Sequence, residues 1–225
     1  MMNTAEKLLT FIQESPTAFQ AVEAMKNRFT ENGFTELKEE EHWEIRNGGK
    51  YFVTRNHSAI IAFTLPEASS DVFHIIASHS DSPTFKIKEN PEMVENGYVK
   101  LNVELYGGAL LAPWFDRPLS VAGRMIVKEN GKICEKLVTV DKDMLMIPNL
   151  AIHMNREANS GYTYNVQKDL LPLYGLENAK GSFFKKMAEA AGLEEEDILG
   201  HDLFLYSRIP GTIWGGENEF VSAPR

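Results

Sequence analysis

The pattern of hydrophobic and polar positions divides the chain into an α/β part and a β-rich part. Near the start, hydrophobic residues recur every three or four positions, which predicts two amphipathic helices. We expect Thr4 to cap the first helix, Ser15 to cap the second, and Asn32-Gly33 to end the second. Short apolar runs then predict strands at residues 43–46, 50–54 and 58–65, with a hairpin at Asn47-Gly48-Gly49.

The next run, residues 72–77, is almost wholly apolar and is rich in β-branched and aromatic residues. This composition predicts a strand buried on both faces. The run leads into His79-Ser80-Asp81-Ser82-Pro83, so His79 and Asp81 fall at the carboxyl end of the strand, where open α/β sheets place ligands. Residues two apart in an extended chain point to the same side.

His79 and Asp81 therefore form a candidate site. A neutral imidazole is a common metal ligand, and a nearby carboxylate can fix its tautomer. A His-x-Asp pattern on its own is more often a polar turn at a strand end with a solvated histidine, so the metal interpretation depends on the rest of the chain.

Beyond Pro83, short alternating strands and turns continue to about residue 140. Residues 98–105 alternate like a half-buried antiparallel strand, and Glu129-Asn130-Gly131-Lys132 is the clearest hairpin signal. Further on, we expect Ser182 to cap a helix over residues 183–191 that Gly192 ends. Residues 201–207 resemble a strand. We predict a second, β-rich domain with its boundary close to Pro83.

Two further places in this region carry polar groups beside apolar residues. Asp116-Arg117 is compatible with a buried ion pair or with a substrate clamp, and most such pairs only fix local geometry. His153 follows an apolar patch, where a lone histidine is usually a satisfied core residue. The residue types alone favour the structural interpretation for both.

Composition limits the partners. The net charge of −9 over 225 residues argues against a nucleic-acid partner, which requires a basic face. Cys134 is the only cysteine, so the chain has no intrachain disulfide and no cysteine-built zinc site, which is typical of a reducing compartment. No signal peptide and no apolar run long enough to cross a membrane is present. We therefore expect a cytoplasmic protein without a membrane or nucleic-acid partner.

Six separated motifs occur in the order found in the M18 metallo-aminopeptidases, of which aspartyl aminopeptidase is the best-known type, and the similarity covers essentially the whole chain. The motifs are Ser15-Pro16-Thr17, residues 48–56, His79-Ser80-Asp81-Ser82-Pro83, Tyr106-Gly107-Gly108, Trp114-Phe115-Asp116-Arg117 and Leu150-Ala151-Ile152-His153. Several motifs in order are far more specific than His-x-Asp alone.

The resemblance implies a fold of class α/β. Residues 1–83 would be the N-terminal part of a mixed-sheet peptidase domain, and residues 84–220 would be an inserted β-rich dimerisation domain. At residues 221–225 the chain would begin its return to the peptidase domain. It also implies an aminopeptidase that removes N-terminal, preferentially acidic, residues from peptides. Its two-metal site usually holds zinc, with manganese or cobalt as alternatives. His79 matches a metal ligand and Asp81 the carboxylate that orients it.

The resemblance further implies that His153 reaches the active site of a neighbouring subunit, where it helps to hold the substrate or the developing oxyanion. Family members commonly assemble dodecamers from dimers. Gln20 stands where many relatives carry a histidine, and we attach no catalytic meaning to that difference.

Length is the larger departure from the family pattern. The bridging Asp, the general-base Glu and the remaining ligands of the family would all follow residue 225. We therefore expect the chain to be the N-terminal half of such an enzyme, truncated before most metal ligands and inactive alone. The alternative is a non-catalytic assembly module that dimerises through its β-rich domain.

Overall fold

The computed structural model describes residues 3–68 and 71–224 and has the expected α/β character. It divides into two compact units, Met1–Ser82 and Pro83–Arg225. Met1, Met2 and Arg225, with which the predicted domain assignments begin and end, lie outside the described residues. In the described part of the chain, no helix combines the length and hydropathy that a membrane span requires.

The first unit contains two helices and a three-stranded sheet. The helices are α1 (Thr4–Glu14) and α2 (Ala18–Glu31), and the strands are β1 (Thr35–Leu37), β2 (Lys50–Arg55) and β3 (Ala59–Thr64). The sheet order is β1-β2-β3, with β1 parallel and β3 antiparallel to the central strand. Helix α2 buries Phe19, Ala21 and Val22, and its Phe29 ring stacks on Phe52 of β2 at 6.0 Å.

Both predicted helices are confirmed, but their caps lie elsewhere. Asn3 caps α1 through a reciprocal pair of hydrogen bonds with Glu6, so Thr4 is the first helical residue. Thr17, rather than Ser15, caps α2. The predicted end of α2 is correct, because Asn32 is the C-cap and Gly33 follows with φ +79°.

The hairpin predicted at Asn47-Gly48-Gly49 is wrong. Residues 43–46 form no strand, and Gly49 instead accepts a hydrogen bond from Leu65 N at 2.9 Å, beside the far end of β3. The hairpin is formed by β2 and β3 around Asn56 and His57, which both have positive φ. Asparagine and histidine adopt that conformation more readily than most residues, so the turn signal lay one strand later than predicted.

The buried strand predicted at residues 72–77 is also wrong for this structure. These residues have no regular secondary structure, and Phe73, Ile75 and Ile76 are between 83% and 100% exposed. A strand requires a neighbour to accept and donate its backbone hydrogen bonds, and an apolar run predicts burial only if another element covers it.

The second unit is built on a six-stranded antiparallel sheet, in the order β7-β6-β9-β4-β5-β8. Its strands are β4 (Thr84–Glu95), β5 (Tyr98–Tyr106), β6 (Leu119–Glu129), β7 (Lys132–Thr139), β8 (Leu173–Leu176) and β9 (Ile198–Ser207). A separate hairpin pairs β10 (Thr212–Trp214) with β11 (Phe220–Ser222). The predicted hairpin is confirmed, since Glu129 pairs with Lys132 around Asn130 and Gly131, both with positive φ.

The described part of this unit also contains the α-helices α3 (Val166–Asp169), which is short, and α4 (Phe183–Ala191). The predicted bounds of α4 are confirmed, and Gly192 ends it with φ +67°. Phe183 and Met187 of α4 join the hydrophobic core that covers the sheet. The carboxylate of Glu92, from an irregular part of β4, accepts hydrogen bonds from the backbone N–H groups of Gly181 and Phe183.

Gly123 in β6 is a position where only glycine fits. Its φ is +153°, and a Cβ atom would lie 2.0 Å from the carbonyl oxygen of Asp202 in the paired strand β9. We predict that Gly123→Ala lowers the free energy of unfolding by about 3 kcal/mol, because the backbones must separate. Gly200→Ala is the control, since no atom lies within 4 Å of its added Cβ. Equal urea-denaturation midpoints for the two variants would contradict this prediction.

Candidate functional site

The candidate site in the first unit is the contact between His79 and Asp81. The Nδ1 atom of His79 lies 2.9 Å from the backbone oxygen of Asp81 and 3.1 Å from its Oδ1. Both oxygens accept hydrogen bonds, so Nδ1 carries the proton and donates it. In the neutral ring, Nε2 then bears the lone pair, which is the form that binds a metal ion.

The segment that carries this pair is not a strand, and it is held by a hydrogen bond to a residue distant in sequence. Ser80 Oγ donates a hydrogen bond to the backbone oxygen of Ser58 at 2.8 Å, at the turn that precedes β3. The His79 side chain is 81% exposed and that of Asp81 is 41% exposed. The imidazole is therefore oriented by Asp81 and accessible to a ligand.

The chemistry of His79 and Asp81 decides whether they fit a metal ion. An oriented imidazole with an accessible Nε2 fits one position in the coordination shell of zinc. Within residues 3–68 and 71–224, no group of three or more His, Cys, Asp or Glu side chains is arranged to hold a metal ion. The pair accordingly fits as one ligand with its orienting carboxylate, and a complete shell would need further ligands.

His153 lies in the second unit, in an exposed turn. The turn is closed by a hydrogen bond from Met154 N to the oxygen of Ala151 at 2.8 Å. His153 is exposed, and so are the apolar side chains of Leu150, Ile152 and Met154 around it. It is therefore not the buried core histidine that its residue type favoured.

Asp116 supports the loop that leads to His153. It adopts φ +56°, its N–H donates to Ile147 O at 3.0 Å, and its Oδ1 accepts from Asn149 N at 2.9 Å. Of the ion pairs that the described residues form, none joins Asp116 to Arg117. The predicted pair is thus replaced by a backbone contact that positions a loop.

Gln20 has a structural environment. It is buried in α2, and its Oε1 accepts a hydrogen bond from the Thr17 hydroxyl at the start of the same helix. That contact satisfies a buried polar group.

Sequence reasoning missed the residues that position the candidates. The Ser80–Ser58 and Asp116–Asn149 contacts join residues 22 and 33 positions apart. A single sequence carries no periodic signal for such pairs, although Asp before a turn is a frequent acceptor of backbone hydrogen bonds. His79 and Asp81 were accessible to sequence reasoning because the two residues are nearly adjacent.

Comparison with known protein families gives a match over most of the chain. Residues 11–225 match the family described as aminopeptidase I zinc metalloprotease (M18). A probable M18 family aminopeptidase 2 from Clostridium acetobutylicum is 50% identical over 230 residues, which cover 98% of this chain and 53% of that protein. The chain spans about half the length of the curated relatives it matches.

Solved structures agree with this match. A chain in the cryo-EM structure of the Ape4 and Nbr1 complex is 35% identical with a TM-score of 0.92, covering 96% of this chain and 46% of its own length. The S. cerevisiae mApe1 dodecamer is 25% identical with a TM-score of 0.78, covering 97% of this chain and 51% of its own. The likeness extends across both units.

Proposed function

The chain belongs to the M18 family of zinc metalloproteases, and from this premise we propose that it supplies part of a metal-dependent aminopeptidase. The observation that supports the proposal most directly is the His79–Asp81 contact, in which a carboxylate orients an exposed imidazole. The match to a zinc metalloprotease family favours a metal-binding role for this contact, which the short motif alone does not.

We assign His79 Nε2 as a metal ligand and Asp81 as the group that holds the Nδ1 proton. A carboxylate in this position fixes the tautomer and makes the imidazole a stronger donor to the metal. With His79 as one of its ligands, a complete two-metal site holding zinc, manganese or cobalt would supply Lewis-acid polarisation of the scissile carbonyl and would lower the pKa of a bound water. The proposed substrates are peptides, with acidic N-terminal residues preferred.

The second unit is proposed to form the dimer. We assign residues 84–220 as the dimerisation domain and residues 1–83 as the first part of the peptidase domain, to which residues 221–225 return. The exposed His153 and its apolar neighbours support this assignment, because exposed apolar side chains that cluster are typical of protein contacts. A dodecamer is described for the S. cerevisiae relative, and we propose a related assembly here.

The free cysteine bears on where the protein acts. A single cysteine, Cys134, lies half-buried in β7 and is free. Because reducing compartments keep such thiols free, we propose that the enzyme acts in the cytoplasm.

The 225-residue polypeptide should show no aminopeptidase activity by itself. One histidine with its orienting carboxylate cannot define the geometry of a two-metal site. The assay uses chromogenic amides of Asp, Glu and Leu with added zinc, manganese or cobalt. Turnover that co-purifies with the polypeptide and disappears with a chelator would contradict this expectation.

A chimera provides the positive arm of the same test. Joining this chain to the part of the Clostridium acetobutylicum relative that it does not match should produce activity if the chain can form half of the site. An inactive chimera that is folded and dimeric would favour the alternative, a non-catalytic assembly module. Higher turnover on Asp and Glu amides than on Leu amides would support the acidic preference.

A further inference from the structure

His201 presents an unusual environment in the second unit. Its side chain is only 3% exposed, yet neither Nδ1 nor Nε2 has a hydrogen-bond partner. Oε2 of Glu89 lies 3.8 Å from Nε2, which is too far for a hydrogen bond. Buried polar groups without partners are rare and costly, so the ring nitrogens call for an explanation.

A cavity adjoins the unpartnered imidazole. It has a volume of about 240 Å³, and its lining includes His201, Glu89, Glu195 and the Phe184 ring. A second cavity of about 220 Å³ shares Glu89, Glu195 and Phe184 with the first. The Phe184 ring centroid lies 5.2 Å from that of His201. Two carboxylates, one aromatic ring and one imidazole therefore line the first cavity.

The side chains that line the cavity favour a positively charged ligand. Burial lowers the pKa of His201 in spite of the opposing effects of Glu89 and Asp202, and Lys86 lowers it further. The imidazole is therefore neutral at neutral pH and offers one lone pair. Carboxylates accept hydrogen bonds only, so a cation with several N–H donors satisfies the cavity best.

Shape favours a planar cation. A guanidinium group presents several donors in one plane and stacks on aromatic rings, whereas an ammonium group is a compact point charge. In the tautomer that carries its proton on Nδ1, His201 Nε2 is an acceptor 3.8 Å from a second acceptor, Glu89 Oε2, and the two can share the donors of one group. We propose that this cavity binds a guanidinium group, carried by an arginine side chain of a polypeptide or by a small guanidinium compound.

The test follows the ring nitrogens of His201 by NMR in the ¹⁵N-labelled chain at low ionic strength. His201→Leu identifies the signal, and this change should not destabilise the fold, because it replaces an unsatisfied buried polar group by an apolar one. The probe is Nα-acetyl-arginine methylamide, and its uncharged analogue Nα-acetyl-citrulline methylamide is the matched control.

We expect a saturable shift with the arginine compound and none with the citrulline compound. Glu89→Gln and Glu195→Gln should each weaken binding by roughly three- to tenfold, whereas Glu194→Gln, a neighbouring exposed carboxylate outside the cavity lining, should not. Equal responses to arginine and citrulline, or no saturable response, would overturn the proposal. Saturation by Zn²⁺ without any response to arginine would overturn it as well.

The pH dependence gives an independent readout. A protonated His201 repels a cation, so binding should weaken as the pH falls through the pKa of His201, and the bound cation should lower that pKa further. Affinity that rises on acidification would contradict the proposal. Titrations with methylguanidinium and with the peptide Gly-Gly-Arg-Gly-Gly show which kind of ligand carries the guanidinium group. Tighter binding of the peptide indicates a polypeptide ligand, and equal binding indicates a small compound.

Discussion

Replacing His79 by alanine in the active chimera is expected to remove one metal ion and nearly all aminopeptidase activity. The change deletes the proposed Nε2 ligand and the hydrogen bond from Nδ1 to Asp81. Because the His79 side chain is 81% exposed, its truncation should hardly change the free energy of unfolding. The measurements are metal stoichiometry by elemental analysis and turnover of an N-terminal amide substrate.

Asp81→Asn provides the graded control for this result. Asparagine retains an oxygen that can accept from Nδ1 but loses the charge, so metal affinity should fall by about 10–100-fold rather than vanish. Excess zinc should therefore restore Asp81→Asn and not His79→Ala. Full metal stoichiometry in His79→Ala would show that the ligand assignment is wrong.

Local signals explain which parts of the fold could be predicted. The bounds of α4 and the hairpin at residues 129–132 depend on residues next to one another, namely Gly192 after a periodic run and Asn130-Gly131 between two strands. The His79–Asp81 contact is also local, because the side chains of residues two positions apart lie on the same side of an extended chain. Its role as a metal site stays a prediction.

Nonlocal partners explain the errors. The run at residues 72–77 has the composition of a buried strand, but composition cannot supply the neighbour that would pair with it, and in this structure the apolar side chains are exposed. Strand β2 pairs with residues 59–64 rather than 43–46, because register is set by the pairing of whole strands. The Glu92 carboxylate at the start of α4 comes from a position about ninety residues earlier, beyond any local pattern.

Dimerisation through the second unit, with His153 acting in the neighbouring subunit's site, is the other prediction with a large expected effect. The second unit has a core of its own and an exposed turn that carries His153 among Leu150, Ile152 and Met154. We expect the chain to sediment as at least a dimer at micromolar concentration. A monomer at that concentration would contradict the assignment of residues 84–220.

Subunit mixing then tests where His153 acts. In the active chimera, His79→Ala and His153→Ala should each be inactive, because each removes one half of every shared site. When the two variants are mixed and reassociate at random, half of the dimers are mixed, and in each of these one site has both histidines while the other has neither. Activity should therefore return to about one quarter of the unmutated level, as the two-fold symmetry of a dimer requires. If His153 instead served the site of its own chain, every site would still lack one histidine, and mixing would restore nothing.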